Sequence, residues 1–170
     1  MPDITQAQAY FSEPECRLFA RCENQGLGSV HLSLGPYSYE WFAVSMRYAV
    51  RLEQLFRDEE AKPYQSGIWL NKEILKEAGI SYHKFEQNNG EIVVANTGVY
   101  YSVQSNGFAK MINWNIIPAS ANQLTATAVF CDQYVAQGFS SVLPFQQLLW
   151  EIAKKKAYAN SEISKDEDDS

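Results

Sequence analysis

The side chains that could ligate a metal or attack a substrate are few and widely spaced in this chain. There are two histidines, His31 and His83, and three cysteines. Either histidine could ligate a metal, together with Glu23 or Cys22, but no spacing typical of metal ligands links them. A surface or hydrogen-bonded strand histidine is therefore the simpler interpretation of each. Cys22 could also be a reactive thiol, but the sequence offers it no partnered histidine, and structural burial is the alternative.

Other common catalytic patterns do not occur in the sequence. It has no Ser-His-Asp arrangement, phosphate-binding loop or dinucleotide fingerprint, and Gly26-Leu-Gly28 is too short to bind phosphate. The odd number of cysteines, without regular spacing, argues against a disulfide framework. A reducing intracellular compartment is the expectation that follows.

Length, composition and charge narrow the class of protein. A chain of 170 residues with 46% hydrophobic residues is expected to fold as one domain with a proper core. The net charge is −6 and no basic stripe occurs, so we expect no direct nucleic-acid partner. No stretch approaches the roughly 18 apolar residues of a membrane span, and the N-terminus does not resemble a signal peptide. We expect one folded domain over residues 1–160 and a disordered acidic tail over 161–170.

Short strands separated by turn signals account for most of the chain. Asn71 predicts the start of a helix that ends at Gly79, and Asn88-Asn89-Gly90 predicts a tight turn because Asn and Gly tolerate positive φ. Predicted strands lie within residues 16–35 and at 41–44, 80–85, 92–95, 100–103 and 109–117, with 92–95 predicted to be buried. Predicted helices begin at 46 and cover 72–78, 125–137 and 144–158. This order predicts a mainly β barrel or sandwich with a helical insertion and C-terminal helices.

Two blocks of sequence in the middle of the chain carry a more specific signal. The first is His31-Leu-Ser-Leu-Gly-Pro-Tyr-Ser-Tyr-Glu-Trp-Phe-Ala-Val, which continues to Tyr48-Ala-Val-Arg-Leu-Glu-Gln-Leu. The second is Ile74-Leu-Lys-Glu-Ala-Gly-Ile, followed by Gln87-Asn-Asn-Gly-Glu and a hairpin that runs to Gly107.

A third block, Gly138-Phe-Ser with Leu148-Leu-Trp-Glu-Ile-Ala, completes the pattern. In their order and spacing the three blocks resemble a Jumonji C (JmjC) domain, with the JARID-type histone lysine demethylases the most similar group. The resemblance implies a double-stranded β-helix, which is a cupin or jelly-roll fold.

The resemblance also implies where the iron ligands of this family would stand. JmjC enzymes bind Fe(II) through two histidines and one carboxylate. The His-x-Asp/Glu motif aligns with Arg21-Cys22-Glu23, and Arg21 cannot coordinate iron because its guanidinium stays protonated and has no free lone pair. A shift by one residue places Ala20 and Cys22 there, again without a histidine. The distal histidine aligns with Tyr101, and a neutral phenol is a poor Fe(II) ligand.

The 2-oxoglutarate site that the resemblance implies is altered as well. The family's lysine, which holds the distal carboxylate of 2-oxoglutarate, aligns close to Tyr39, and an asparagine of the preceding strand aligns near His31. Tyr39 could donate one hydrogen bond but supplies no positive charge. The resemblance therefore predicts that both Fe(II) and 2-oxoglutarate are lost.

Together these changes predict a catalytically inactive JmjC-like domain, a pseudoenzyme of the Fe(II)/2-oxoglutarate oxygenase family. It would serve as a structural or protein-interaction module in a nuclear chromatin or transcription regulator. Its partners would be other subunits of that regulator or further regions of a larger protein. Two alternatives stay open: an active histone lysine demethylase or hydroxylase with atypical ligands, and a barrel that binds a different small molecule or peptide.

Overall fold

The computed structural model describes residues 6–58, 67–117 and 120–136, and beyond them residues 147, 150, 151 and 153–155. The chain divides into two compact units, residues 1–117 and residues 118–170. The first unit contains eight strands: β1 (Gln8–Ser12), β2 (Arg17–Cys22), β3 (Gly28–Pro36), β4 (Tyr39–Val44), β5 (His83–Gln87), β6 (Ile92–Ala95), β7 (Tyr100–Ser105) and β8 (Ala109–Ile116).

The eight strands form two antiparallel four-stranded sheets. Sheet I has the strand order β1-β8-β3-β6, and sheet II has the order β2-β7-β4-β5. Along the chain the strands pass back and forth between the two sheets, which is the topology of a jelly roll. The predicted double-stranded β-helix is therefore confirmed.

The core lies between the two sheets and follows the alternation of side chains along each strand. Tyr39 and Trp41 of β4, with Tyr101 and Val103 of β7, point inward from sheet II. Small and flexible side chains of sheet I complete the same buried cluster: Ala95, Ala109 and Met111. Large aromatic rings from one sheet thus fill the space left by smaller residues of the other.

Two helices lie between β4 and β5 and form the predicted helical insertion: α1 (Ala49–Asp58) and α2 (Lys72–Glu77). Asn71 caps α2 as predicted, because its Oδ1 accepts a hydrogen bond from the backbone N–H of Ile74 at 2.9 Å. Beyond the end of α2, Gly79 adopts the positive φ that a helix stop requires. In α1, Leu52 and Phe56 are buried, and they anchor the insertion to the first unit.

Three predictions about strands differ from the structure. The strand β1 was not expected, since it is an edge strand whose side chains are mostly exposed and leave little hydrophobic signal. The strand β6 was predicted to be buried, yet only its inner face is: Ala95 belongs to the core, whereas Ile92 and Val94 on the outer face are 58% and 61% exposed. The strand β5 begins at His83, three residues later than predicted.

The second unit contains α3 (Ala121–Ala136), which confirms the helix predicted at 125–137 and begins four residues earlier. Ser120 precedes it, and its Oγ accepts a hydrogen bond from the backbone N–H of Gln123 at 3.2 Å. The helix predicted at 144–158 lies mostly outside the described residues, and the tail at 161–170 lies wholly outside them, so the domain boundary at residue 160 stays a prediction. Within the part of the chain that is described, no helix is both long and apolar enough to cross a membrane.

Candidate functional site

The neighbouring strands β2 and β7 bring Arg21 and Tyr101 directly opposite each other. Leu18 pairs with Val103 and Arg21 pairs with Tyr101, so β2 has one residue more than β7 over this interval. The bulge places Arg21 opposite Tyr101, where a regular ladder would have placed Ala20. The side chains of Arg21 and Tyr101 therefore share one face of sheet II.

Tyr101 and Glu23 form a buried hydrogen bond within this site. The Tyr101 hydroxyl donates to Oε1 of Glu23, and the two residues are 1% and 6% exposed. Burial raises the pKa of Tyr101 well above its ordinary value, and the negative charge of Glu23 raises it further, while the positive charge of Arg21 opposes both effects. The phenol is therefore neutral and acts as a donor at physiological pH.

His31 approaches the same cluster from β3 of sheet I. Its ring packs edge-on against Tyr101 and Trp41, with ring centroids 5.3 and 4.9 Å away, and its Nε2 lies 2.8 Å from the Oγ of Ser29. Burial, and secondarily the charge of Arg21, lowers the pKa of His31 to about 4. His31 is therefore a neutral side chain of the barrel interior, and its Nδ1 has no hydrogen-bond partner among the described residues.

A small polar cavity of about 50 Å³ borders Arg21 and Glu23. Amide side chains of β1 and β8 line it, among them Gln8, Asn113 and Asn115. A space of this size and polarity suits one or a few water molecules that would solvate the charged ends of Arg21 and Glu23.

Gln87 supports the cluster from the end of β5, a role that the motif did not reveal. Its Oε1 accepts a hydrogen bond from Nε1 of Trp41 at 3.0 Å, and its Nε2 donates to the carbonyl oxygens of His31 and Glu91 at 2.9 Å each. Gln87 is 1% exposed, so a single side chain joins the two sheets behind the aromatic rings. The sequence feature that could have indicated this role is the position of Gln87 immediately before the Asn88-Asn89-Gly90 turn.

Tyr39 belongs to the same core but lies away from the Arg21, Glu23 and Tyr101 side chains. It pairs with Ser105 of β7, whereas Tyr101 pairs with Ala43, so four residues, roughly 13 Å along a strand, separate the two positions. Its hydroxyl faces the Oγ of Ser12 at a long 3.5 Å, and burial raises its pKa. The structure thus brings together four of the five predicted site residues and places Tyr39 apart from them, four residues along β4 from the position that pairs with Tyr101.

The two histidines do not meet. His83 is exposed on β5, while His31 is buried between the sheets. Burial, and next the charge of Glu23, raises the pKa of the Cys22 thiol, which makes it a poor nucleophile and ligand. Among the residues that the structure describes, no group of three or more His, Cys, Asp or Glu side chains could hold a metal ion.

Two facing antiparallel sheets with a polar cluster from β2, β3 and β7 between them define a jelly roll of the JmjC class. A family model described as "JmjC domain, hydroxylase" matches residues 8–116, and the chain belongs to this family. It is 30% identical over 157 residues to the lysine-specific demethylase jmjd-3.1 of Caenorhabditis elegans, an alignment that covers 92% of this chain and 15% of that protein. It is 27% identical over 163 residues to human lysine-specific demethylase 6B, covering 95% of this chain and 10% of that protein. The chain therefore spans a small part of the length of these relatives, and similarity to the JARID group stays a prediction.

Proposed function

We propose that this chain is a noncatalytic JmjC domain, in which the side chains of Arg21, Glu23 and Tyr101 take the place of the iron centre. The observation that carries the proposal is the hydrogen bond from Tyr101 to Glu23. At two positions where the family would place metal ligands, the side chains bind each other instead.

The chemistry of the donor set does not fit a ferrous ion. Tyr101 would have to lose its proton to become a good ligand, yet its pKa is raised by burial and by Glu23. Arg21 offers no lone pair at neutral pH. Of the three expected ligands only the Glu23 carboxylate remains, and a single carboxylate does not form a facial triad.

The charge of Arg21 opposes a metal ion independently of its lack of a lone pair. A guanidinium about 4 Å from a divalent cation would repel it by roughly 8 kcal/mol at an effective dielectric constant of about 20. At the same site the Glu23 carboxylate accepts the Tyr101 hydrogen bond without any metal.

The cosubstrate position supports the same conclusion. 2-Oxoglutarate is a dianion, and the family's lysine position is taken by Tyr39, whose buried phenol carries no positive charge. The position of the family's asparagine is taken by His31, which the barrel interior keeps neutral.

The role we propose for such a domain is that of a structural or protein-interaction module in a nuclear chromatin or transcription regulator. The relatives named above are lysine-specific demethylases, and this motivates the assignment to chromatin. Its partners would be other subunits of that regulator or further regions of a larger protein.

A test of the proposal is to restore the two histidines. Mn(II) serves as a redox-stable substitute for Fe(II). We expect the native chain to bind Mn(II) only weakly, through its exposed carboxylates, and to have no tighter site. The double variant Arg21→His/Tyr101→His should gain one site with an affinity at least about a hundredfold higher. The matched control, Arg47→His/Tyr37→His, makes the same changes at exposed residues and should gain no such site. One tight Mn(II) site in the native chain would overturn the proposal.

The second candidate is an Fe(II)/2-oxoglutarate-dependent demethylase or hydroxylase with atypical ligands. The retained Glu23 carboxylate inside the barrel is the observation that favours it. Iron-dependent decarboxylation of 2-oxoglutarate by the native chain, abolished in Glu23→Gln, would establish this candidate in place of the first.

A further inference from the structure

A second cavity, of about 260 Å³, opens between the inner face of sheet II and the edge strand β6. The exposure of its lining side chains increases from the floor to the opening. Trp41, Tyr101 and Ala95 are buried at its floor, Ala43, Val93 and Val99 are half-buried, and Ser45, His83 and Asn96 at its opening are exposed. The cavity is therefore a pocket with an apolar interior and a polar rim, at the mouth of the barrel.

Two aromatic rings at the floor of this pocket are held in place by hydrogen bonds. The indole N–H of Trp41 donates to Gln87, and the hydroxyl of Tyr101 donates to Glu23. Trp41 also stacks on Phe85, with ring centroids 5.9 Å apart and an angle of 6° between the planes. The aromatic floor of the pocket, in which the Trp41 and Tyr101 rings are tilted 42° to each other, is thus preformed, and a ligand would not have to order it.

The loop between β6 and β7, which borders the opening, is fixed as well. The N–H of Gly98 donates to the carbonyl of Gly26 at 3.0 Å, and the N–H of Val99 donates to the carbonyl of Asn96 at 3.1 Å. Gly98 also has the positive φ of 70° that glycine tolerates. Because hydrogen bonds hold both its floor and its rim, the pocket keeps its shape when empty.

The chemistry of the lining selects the ligand. None of the described residues that line the pocket is a lysine, arginine, aspartate or glutamate. A dianion such as 2-oxoglutarate would find no Lys or Arg counter-charge among these described lining residues, and burying its charge would be unfavourable. Apolar cavities of about 150 Å³ already accept a benzene ring, so this larger pocket has room for a fused two-ring molecule.

We propose that this pocket binds a small, neutral, predominantly apolar molecule with a flat ring, which packs against Trp41 and Tyr101 and turns any polar group towards Ser45 and Asn96. The size, the uncharged lining and the preformed aromatic floor all favour this occupant. A flat protein partner or a second copy of the chain would not fill a concave pocket of this shape.

The test uses the full chain and 2-naphthol as a neutral two-ring probe, followed by two-dimensional NMR. We expect saturable shifts of the Trp41 indole N–H and of the Ala43, Ala95 and Val99 amides at probe concentrations below about 1 mM, the weak end of specific binding. 2-Oxoglutarate at the same concentrations should neither cause these shifts nor compete with the probe.

Variants that fill the pocket provide the second arm of the test. Ala43→Phe should weaken binding of 2-naphthol at least about tenfold, and Val99→Phe, in the loop, should do the same if the strand variant folds poorly. The matched control is Ala9→Phe, at an exposed position of β1, which should leave binding unchanged. No saturable shift in the native chain, equal binding by both folded pocket variants, or competition by 2-oxoglutarate would each overturn the proposal. The first two outcomes do not depend on whether the chain binds iron.

Discussion

The hydroxyl of Tyr101 donates a hydrogen bond to the carboxylate of Glu23 across 78 residues of sequence. Both side chains are buried between the sheets, at positions that the JmjC resemblance assigns to metal ligands. This contact determines what the barrel interior can do, because it uses the one remaining carboxylate as an acceptor. This contact and three other features of the barrel lead to four predictions that can be measured.

The first prediction concerns the cost of removing the Tyr101 hydroxyl. In Tyr101→Phe the Glu23 carboxylate stays buried but loses its donor, so the free energy of unfolding in urea should fall by about 1–3 kcal/mol. The matched control is Tyr48→Phe, which removes an exposed hydrogen bond to Ser81 and should cost less than 1 kcal/mol, roughly the value of an ordinary bond. Equal losses of unfolding free energy in the two variants would mean that the buried hydrogen bond stabilises the fold no more than the exposed one does.

The second prediction is a pH dependence that arises from His31. Its pKa is about 4 in the folded protein and 6.5 in a solvated chain. Below pH 6.5 His31 of the unfolded chain is therefore protonated, whereas His31 of the folded protein stays neutral until the pH falls to about 4. The contribution of neutral His31 to the free energy of unfolding is complete above pH 6.5. It is lost as the pH falls from 6.5 to about 4, which lowers the free energy of unfolding by up to about 3 kcal/mol.

The measurement compares urea unfolding at several pH values for the native chain and for His31→Asn. The variant should lose this part of the pH dependence, whereas His83→Asn, at the exposed histidine, should keep it. Identical pH profiles for the native chain and His31→Asn would show that His31 is not the group responsible.

The third prediction concerns Gln87, which joins the sheets. Gln87→Leu preserves the approximate size of the side chain but leaves the Trp41 indole N–H without its acceptor and two carbonyl oxygens without their donor. We expect a loss of about 3 kcal/mol in the free energy of unfolding. Gln104→Leu on β7, where the glutamine bonds only to the exposed Arg17 side chain in the contacts described, should lose under about 1 kcal/mol. A mild effect of Gln87→Leu would contradict the bridging role.

The fourth prediction distinguishes the cysteines by their reactivity. Cys16 is exposed, while Cys22 is buried and has a raised pKa. Iodoacetamide at mildly alkaline pH should therefore modify Cys16 in the native protein and reach Cys22 only after unfolding, as mass spectrometry of peptides would show. Modification of Cys22 at the rate of Cys16 in native protein would revive its interpretation as a reactive thiol.

Much of this fold could be predicted from local sequence, and the reasons are physical. The strand β4 shows a clear apolar run over residues 41–44, and the Asn71 cap and the Asn88-Asn89-Gly90 turn are short-range signals. The edge strands β1 and β6 gave weak or misleading signals, because their outer faces are exposed and their place in the sheet depends on distant partners.

The sequence proposed residues for the site but did not predict their geometry. The resemblance identified Arg21, Glu23 and Tyr101, whereas the bulge in β2 that sets Arg21 opposite Tyr101 depends on the pairing with β7. The bridge from Gln87 to Trp41 and His31 joins residues far apart in the chain and leaves no mark in local periodicity. Tyr39 was grouped with the site by alignment, and only the register with Ser105 shows that it lies four residues along β4 from the position that pairs with Tyr101.

The most direct test of the central claim is an Fe(II) titration of the native chain by equilibrium dialysis without oxygen, with and without 2-oxoglutarate. We predict that protein-bound iron stays far below one ion per chain, and that 2-oxoglutarate does not raise it. One iron ion per chain, bound more tightly in the presence of 2-oxoglutarate and lost in Glu23→Gln, would contradict the claim that Arg21, Glu23 and Tyr101 have replaced the metal.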